Sequence, residues 1–176
     1  MRVREAAMID REKLARDKIK EDDHFDAVEL IGIKQQVRDV LIGEKMFKAE
    51  ELKVEPAFTV TLGAGQIVVS TDFLISFPSL SVMVIKCSSS SLESWERYLT
   101  AFARSVLDYQ IPFAMVTDGV RAIIIDVLSG AIVGQSIHEM FTRQEAMDKL
   151  RDFKKIPFDN NKIEKERRII YAFQGI

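Results

Sequence analysis

The sequence predicts an α/β domain in which a mixed central β-sheet is flanked by helices, with extra helices at both ends of the chain. Three observations support this fold class. Short β-rich runs alternate with segments whose apolar residues recur every three or four positions, as on one face of a helix. The apolar run at residues 81–87 is typical of a strand buried on both faces of a sheet. A helical segment then separates it from the next β run at residues 112–117, which predicts a crossover connection.

Composition sets limits on the class of protein. The 176 residues, 47% of them hydrophobic, fit one core rather than two. The 25 Lys+Arg and 27 Asp+Glu give a net charge of -2, so a DNA contact would need a local basic patch. A single cysteine excludes an intramolecular disulfide. The charged N terminus and the lack of an apolar run of roughly 18 residues predict a cytoplasmic protein with no membrane partner.

The N-terminal part of the chain predicts two helices. Residues 4–22 mix charges of both signs with few apolar positions, so residues 1–25 are expected to form an exposed helical extension. A stronger helix is expected to begin near Asp26 and to end at Gly43. Its apolar stripe recurs at spacings of three and four residues, at Leu30, Ile33, Val37 and Leu41. Residues 26–137 are expected to form the core.

Between residues 51 and 77 the sequence predicts two β-strands joined by a hairpin turn at Gly63-Ala64-Gly65. The third strand, residues 81–87, is followed by a helix at residues 91–108, for which Ser90 or Ser91 is a suitable N-cap. Two further strands at residues 112–117 and 121–127 surround a turn at Asp118-Gly119, and another strand covers residues 131–133. Short helices around residues 146–153 and 163–173 lie in a C-terminal segment, residues 138–176, expected to pack on the core.

Four segments in this order carry a family resemblance: STDFLISF, VMVIKCSSSS, ERYLTAFARSV and IPFAMVTDG. Over residues 29–133 the chain resembles the N-terminal family of type I restriction enzyme R subunits, which belong to the PD-(D/E)XK nucleases. The resemblance implies a restriction-endonuclease-like core and DNA as the substrate of active members. It also implies Mg²⁺ as their cofactor and restriction-modification subunits as partners.

In that family an Asp on one strand is followed on the next by Glu-x-Lys, commonly Glu-Cys-Lys. Hydrolysis of a phosphodiester needs a divalent cation held by carboxylates, with a Lys nearby to position water. Side chains two apart on a strand share a face, so such a Glu and Lys can both point toward the Asp. Asp72 occupies the position that matches the family Asp.

The second half of the motif departs from the family pattern. Aligning Cys87 with the family Cys puts Lys86 at the Glu position and Ser88 at the Lys position. If Lys86 instead keeps the Lys role, Val84 falls at the acid position. Either register lacks the second carboxylate, so we expect weak or absent metal binding. Our hypothesis is that the Lys86 ammonium replaces the cation and pairs with Asp72; the alternative is that Lys86 extends into solvent.

Three acids are candidates to replace the missing carboxylate. Glu55 is expected on the strand before Asp72, Glu93 in the first turn of the following helix, and Glu29 on the first long helix. One of them, with Asp72 and Lys86, would make a working Mg²⁺-dependent endonuclease in which Asp72 is a metal ligand. Tyr98 and Phe102 stand where the family carries Gln-x-x-x-Tyr, which keeps the bulk but loses the amide and the phenol.

Basic residues supply the candidates for DNA binding. Those expected to contact phosphates are Lys34, Arg38, Arg97, Arg104 and Arg121. The sequence therefore favours a catalytically impaired domain that serves as a DNA-binding or regulatory module and needs no cofactor. The alternatives are an active Mg²⁺-dependent endonuclease and a protein-interaction or homodimer module that uses the terminal helices.

Overall fold

The computed structural model describes the backbone of residues 2–174 and the side chains of residues 13–174. The helices and strands follow one another as α1 (Arg2–Asp39), β1 (Leu52–Val54), β2 (Ala57–Leu62), β3 (Gly65–Ser70), β4 (Phe73–Phe77), β5 (Leu80–Cys87), α2 (Glu93–Ser105), β6 (Phe113–Thr117), β7 (Arg121–Asp126), β8 (Ala131–Ser136), α3 (Arg143–Lys149) and α4 (Ile163–Phe173). One turn of π-helix at Val40–Glu44 ends α1.

Six of the strands form a mixed sheet in the order β1-β4-β5-β6-β7-β8. β5 and β6 pair in parallel, with Lys86 opposite Val116, and the other neighbours in this sheet pair antiparallel. A parallel pair needs a crossover, which α2 provides. The central position of β5 explains why its residues from Val82 to Ile85 are fully buried. The expected α/β class, with a mixed sheet and flanking helices, is confirmed.

The two faces of the sheet are covered by different helices. On one face the end of α1 packs against the sheet through Val37 and Leu41, which belong to the same apolar cluster as Ile85 of β5. On the other face α2 and α4 pack on the sheet and on each other, with Phe102 and Ile170 in a second apolar cluster. Side chains at alternate positions of β5 therefore enter the two different apolar clusters, with Ile85 in the first and Val84 in the second.

The N-terminal prediction was wrong in one respect, because α1 is one continuous helix rather than two. The expected boundary at residue 25 falls inside it. No Gly or Pro lies between residues 13 and 31, so the backbone contains no residue that would interrupt the helix. Residues 13–29 are exposed throughout, and packing on the sheet begins at Leu30.

Residues 51–77 hold four strands rather than the expected two. β1 joins β4 in the main sheet, whereas β2 and β3 form a separate hairpin. The hairpin turn is where the sequence placed it, and Gly63 there has a positive φ of 59°. Glu55, also at positive φ, and Pro56 separate β1 from β2. The β-rich composition of residues 51–77 does not show where one strand ends and the next begins, so the sequence predicts two strands where there are four.

Smaller differences occur at the ends of helices. Leu92 is the N-cap of α2 and makes no side-chain cap, while the Ser91 hydroxyl instead donates to Glu93. β8 extends to Ser136, and Phe153 lies beyond the end of α3. None of the described helices is both long and apolar enough to cross a membrane.

A buried ion pair fixes α3 against the start of the sheet. The Glu51 carboxylate accepts hydrogen bonds from the Arg143 guanidinium at 2.8 and 2.9 Å and from the Lys48 backbone N–H at 3.0 Å. Burial opposes ionisation of Glu51, but these donors outweigh it and hold the pKa of Glu51 below its usual value of 4.5. The ionised form therefore stabilises the fold.

We expect Glu51→Gln to lower the free energy of unfolding by about 2 kcal/mol at neutral pH, because a charged partner of Arg143 is lost. The folded-state pKa is depressed, so this stabilisation is present above the pKa of an unfolded Glu. It is lost as the pH falls through the lower folded-state value. Urea unfolding from neutral pH to about pH 3 should show the two proteins converging in acid. A difference that stays constant over that range would contradict the assignment.

Candidate functional site

Asp72 lies between β3 and β4, at the edge of the sheet where β5 ends. Its backbone N–H donates to the Ile85 carbonyl at 3.1 Å, and its carbonyl accepts from the Glu55 N–H at 2.9 Å. The neighbouring Thr71 hydroxyl also donates to the Ile85 carbonyl, at 2.7 Å. The main chain is thus held on both sides, and the Asp72 side chain is only 9% exposed.

Three donors contact the Asp72 carboxylate. Oδ2 accepts a hydrogen bond from the Cys87 backbone N–H at 2.6 Å. Lys34 Nζ lies 3.0 Å from Oδ1, and Lys86 Nζ lies 3.7 Å from Oδ2. Both oxygens of this buried carboxylate are therefore engaged, one by an ammonium group and the other by an amide and a second ammonium group.

Lys34 reaches Oδ1 of Asp72 from α1, whereas Lys86 approaches Oδ2 from β5. Its Nζ also lies 3.4 Å from the Glu55 carboxylate. Partial burial opposes protonation, but Asp72 and then Glu55 outweigh it and raise the pKa of Lys34 above 10.5. Lys34 is therefore charged at neutral pH. The sequence assigned it to phosphate contact, whereas the structure places it against Asp72.

Lys86 is positioned by the strand and by an aromatic ring. It projects from β5 one residue before Cys87, whose amide binds Asp72. Its Nζ lies 4.7 Å from the centroid of the Trp95 ring, within the range of a cation–π interaction. Trp95 belongs to the first turns of α2, so Lys86 connects Asp72 to that helix.

None of the three candidate acids supplies a second metal-binding carboxylate beside Asp72. Glu55 lies in the turn before β2 rather than on a strand, is 66% exposed, and contacts Lys34. Glu93 accepts from the Ser91 hydroxyl at 2.9 Å, and Glu29 lies on the exposed part of α1. Among the described residues, no group of three or more His, Cys, Asp or Glu side chains is placed to hold a metal ion. Asp72 with two ammonium groups does not fit a divalent cation.

The family model for the type I restriction enzyme R protein N terminus (HSDR_N) matches residues 32–157, more than two thirds of the chain. The chain belongs to this family. The match takes in Lys34, Asp72 and Lys86 together with all six strands of the main sheet. It begins three residues later than the residues 29–133 that carried the resemblance and ends 24 residues later, and it leaves out most of α1 and all of α4. No curated protein and no solved structure gave a significant match.

Four of the five basic residues expected to bind DNA belong to separate ion pairs in this R-protein N-terminal domain. Arg97 donates to both oxygens of the buried Glu166 carboxylate at 2.6 and 2.7 Å, and Arg104 lies 3.8 Å from it. Arg121 pairs with Asp118 at 2.8 Å in the turn between β6 and β7. Arg38 lies partly buried on α1. Through Arg97, Glu166 joins α4 to α2, although no sequence pattern singled it out.

Residues around the expected Lys position are buried. Ser88, at that position, accepts from the Ser90 backbone N–H at 3.2 Å. Burial, and then the charge of Asp72, raise the pKa of the Cys87 thiol to about 12. Tyr98 and Phe102 are both buried in the core beside α4. These side chains make structural contacts, and at neutral pH the Cys87 thiol stays protonated.

We expect Asp72→Asn to lower the free energy of unfolding by about 1–3 kcal/mol, because the two lysines lose their charged partner in a poorly solvated site. Glu55→Gln is the matched control: it removes the exposed acid on Lys34 and should change stability by about 0.5 kcal/mol or less. Denaturant titration of both variants measures the difference. An Asp72→Asn protein more stable than wild type would contradict this, since it would show an uncompensated carboxylate of the kind that metal sites contain.

Proposed function

We propose that this R-protein N-terminal domain is a non-cleaving relative of the PD-(D/E)XK nucleases and acts as a regulatory or binding module of a restriction-modification system. In it, the ammonium groups of Lys34 and Lys86 stand in place of the divalent cation beside Asp72. The proposal is carried by one observation, the engagement of both Asp72 oxygens by these groups and the Cys87 amide.

Electrostatics supports the loss of metal binding. Two unit charges about 4 Å apart interact by about 4 kcal/mol at an effective dielectric constant near 20, and a divalent ion doubles that repulsion for each ammonium group. A cation at Asp72 would have to expel Lys34 and Lys86 or bear this cost. With a single carboxylate as ligand, the attraction is too small to offset it.

The rival function is a Mg²⁺-dependent DNA endonuclease that uses Asp72, Lys86 and a migrated acid. Glu55 is the acid best placed for this role, since it already shares Lys34 with Asp72. It would have to displace that lysine to share a cation with Asp72. The geometry therefore favours the non-cleaving module.

The distribution of charge favours a protein partner over DNA for this module. Lys34, Arg97, Arg104 and Arg121 all have a carboxylate partner, and the chain has a net charge of -2. Binding to DNA depends on basic side chains that are free to neutralise phosphates. A restriction-modification subunit is the kind of protein partner that the family suggests.

We expect isothermal titration of Mg²⁺ or Mn²⁺ into the wild type to give no binding heat, and plasmid DNA to stay supercoiled under the same conditions. Asp72→Ala should behave in the same way, because there is no metal site for it to remove. Metal binding and nicking in the wild type, both lost in Asp72→Ala, would instead establish the endonuclease.

A reconstructed motif gives the complementary test. Lys86→Glu with Ser88→Lys restores Ile-Glu-Cys-Lys from residue 85 to residue 88 and places a second carboxylate beside Asp72. This double variant should bind Mn²⁺, and adding Asp72→Ala should abolish the binding. The matched control is Lys86→Gln with Ser88→Lys. It removes the Lys86 ammonium without supplying a carboxylate, so it should not bind Mn²⁺. Equal binding by the Glu and Gln variants would contradict the view that the missing carboxylate is what prevents metal binding.

A further inference from the structure

Residues 13–29 of α1 project from the domain. At 1.5 Å per residue, the 38-residue helix is about 57 Å long. Its side chains from residue 13 to residue 29 are exposed, and it packs on the sheet only from Leu30 onward. A helix without tertiary packing is only marginally stable in water. Contact with a partner would therefore stabilise the projecting part.

Exposed apolar side chains recur on one side of α1, with Lys18 and Glu21 between them. On this side lie Leu14, 64% exposed, Phe25, 70%, Val28, 54%, and Ile31, 67%. At about 100° per residue, Phe25 lies roughly 20° from Leu14 around the helix axis, Val28 roughly 40° to the other side, and Ile31 roughly 100°. The core-facing stripe that contains Val37 lies on the opposite side. We call the four exposed residues the outer stripe.

Charge is distributed unequally along the same segment. Residues 13–20 carry four cationic side chains and one aspartate, a net charge of +3, and form the basic segment. Residues 21–29 carry five carboxylates and no Lys or Arg, a net charge of -5, and form the acidic segment. The two segments are adjacent and similar in length. A second copy of this helix running the opposite way would present acid to base at both ends.

We propose that two copies of this chain dimerise through an antiparallel pairing of their α1 helices, with the two-fold axis near Lys20. Such an axis places Leu14 of one chain level with the region from Phe25 to Val28 of the other, so that the outer stripes meet. It also places each basic segment against the partner's acidic segment. A parallel pairing would align acid with acid and base with base.

Charge also selects against other occupants of this surface. Nucleic acid would meet the five carboxylates of the acidic segment, which repel phosphates. The pairing obeys closed two-fold symmetry, as most homodimers do. This inference goes beyond the proposed function and does not rest on it, because it uses no residue of the Asp72 site.

Sedimentation equilibrium of the full chain at low salt should show a reversible dimer. About 1 M NaCl, where the Debye length is about 3 Å, should weaken it. Reversing the basic segment with Lys13→Glu, Lys18→Glu and Lys20→Glu should raise the dissociation constant at least about tenfold. Reversing the acidic segment at the carboxylates nearest the outer stripe, with Glu21→Lys, Asp22→Lys and Glu29→Lys, should do the same. An equimolar mixture of the two triple variants should regain the dimer, because each segment then faces one of opposite net charge, -3 against +1 and -5 against +3.

Matched single substitutions test the outer stripe. Phe25→Gln should weaken the dimer, whereas Ile19→Gln should not, since Ile19 is 59% exposed on the same helix but about 140° from Leu14. Thermal unfolding followed by circular dichroism checks that each variant keeps its fold. Oxidation should crosslink Glu21→Cys with itself near the axis and leave Leu14→Cys uncrosslinked.

Four outcomes would overturn the proposal. A wild type that stays monomeric over the accessible concentrations would do so. So would a dimer insensitive to both charge reversals, or one weakened equally by Phe25→Gln and Ile19→Gln. Self-crosslinking of Leu14→Cys as fast as that of Glu21→Cys would show a parallel pairing instead.

Discussion

The Asp72 carboxylate and its three donors hold together parts of the chain that are far apart in sequence. An ionised carboxylate this poorly exposed requires compensation, and it receives it from Lys34 on α1, from Lys86 on β5 and from the Cys87 amide. The end of α1 is thereby fixed over the edge of the central sheet, and Lys86 in turn lies against Trp95 of α2. One buried carboxylate thus links α1 to β5 and, through Lys86, to α2.

Residue patterns between positions close in sequence were enough to predict much of the fold. Alternation and continuous burial identified β5, and spacings of three and four residues identified the packed end of α1 and α2. The turn residues gave the β2–β3 hairpin at Gly63. The sequence could not show that this hairpin leaves the main sheet, because strand pairing depends on contacts distant in sequence. Nor did charge alternation in residues 4–22 reveal that α1 continues without a break.

The candidate site was only half predictable, for the same reason. Lys86 could be placed near Asp72 from the spacing of the motif, since side chains on neighbouring strands follow a fixed alternation. Lys34 comes from a helix 38 positions away in sequence, and as a basic residue at the border of an apolar stripe it was expected to contact phosphates. Glu166 presents a similar case, because a glutamate within a run of charges gave no sign that it would be buried by Arg97 and Arg104. Buried ion pairs are long-range features that local patterns do not encode.

The most direct test of this account is to observe the Cys87 amide while Mn²⁺ is added. This amide donates to Asp72 Oδ2, so a paramagnetic ion held by Asp72 would broaden its nuclear magnetic resonance signal before any other. The account predicts that Mn²⁺ below stoichiometric amounts leaves the Cys87 signal as sharp as those of amides elsewhere in the sheet. Selective loss of that signal in the wild type would show that a metal displaces the lysines, and the ammonium groups would then not be the permanent partners of Asp72.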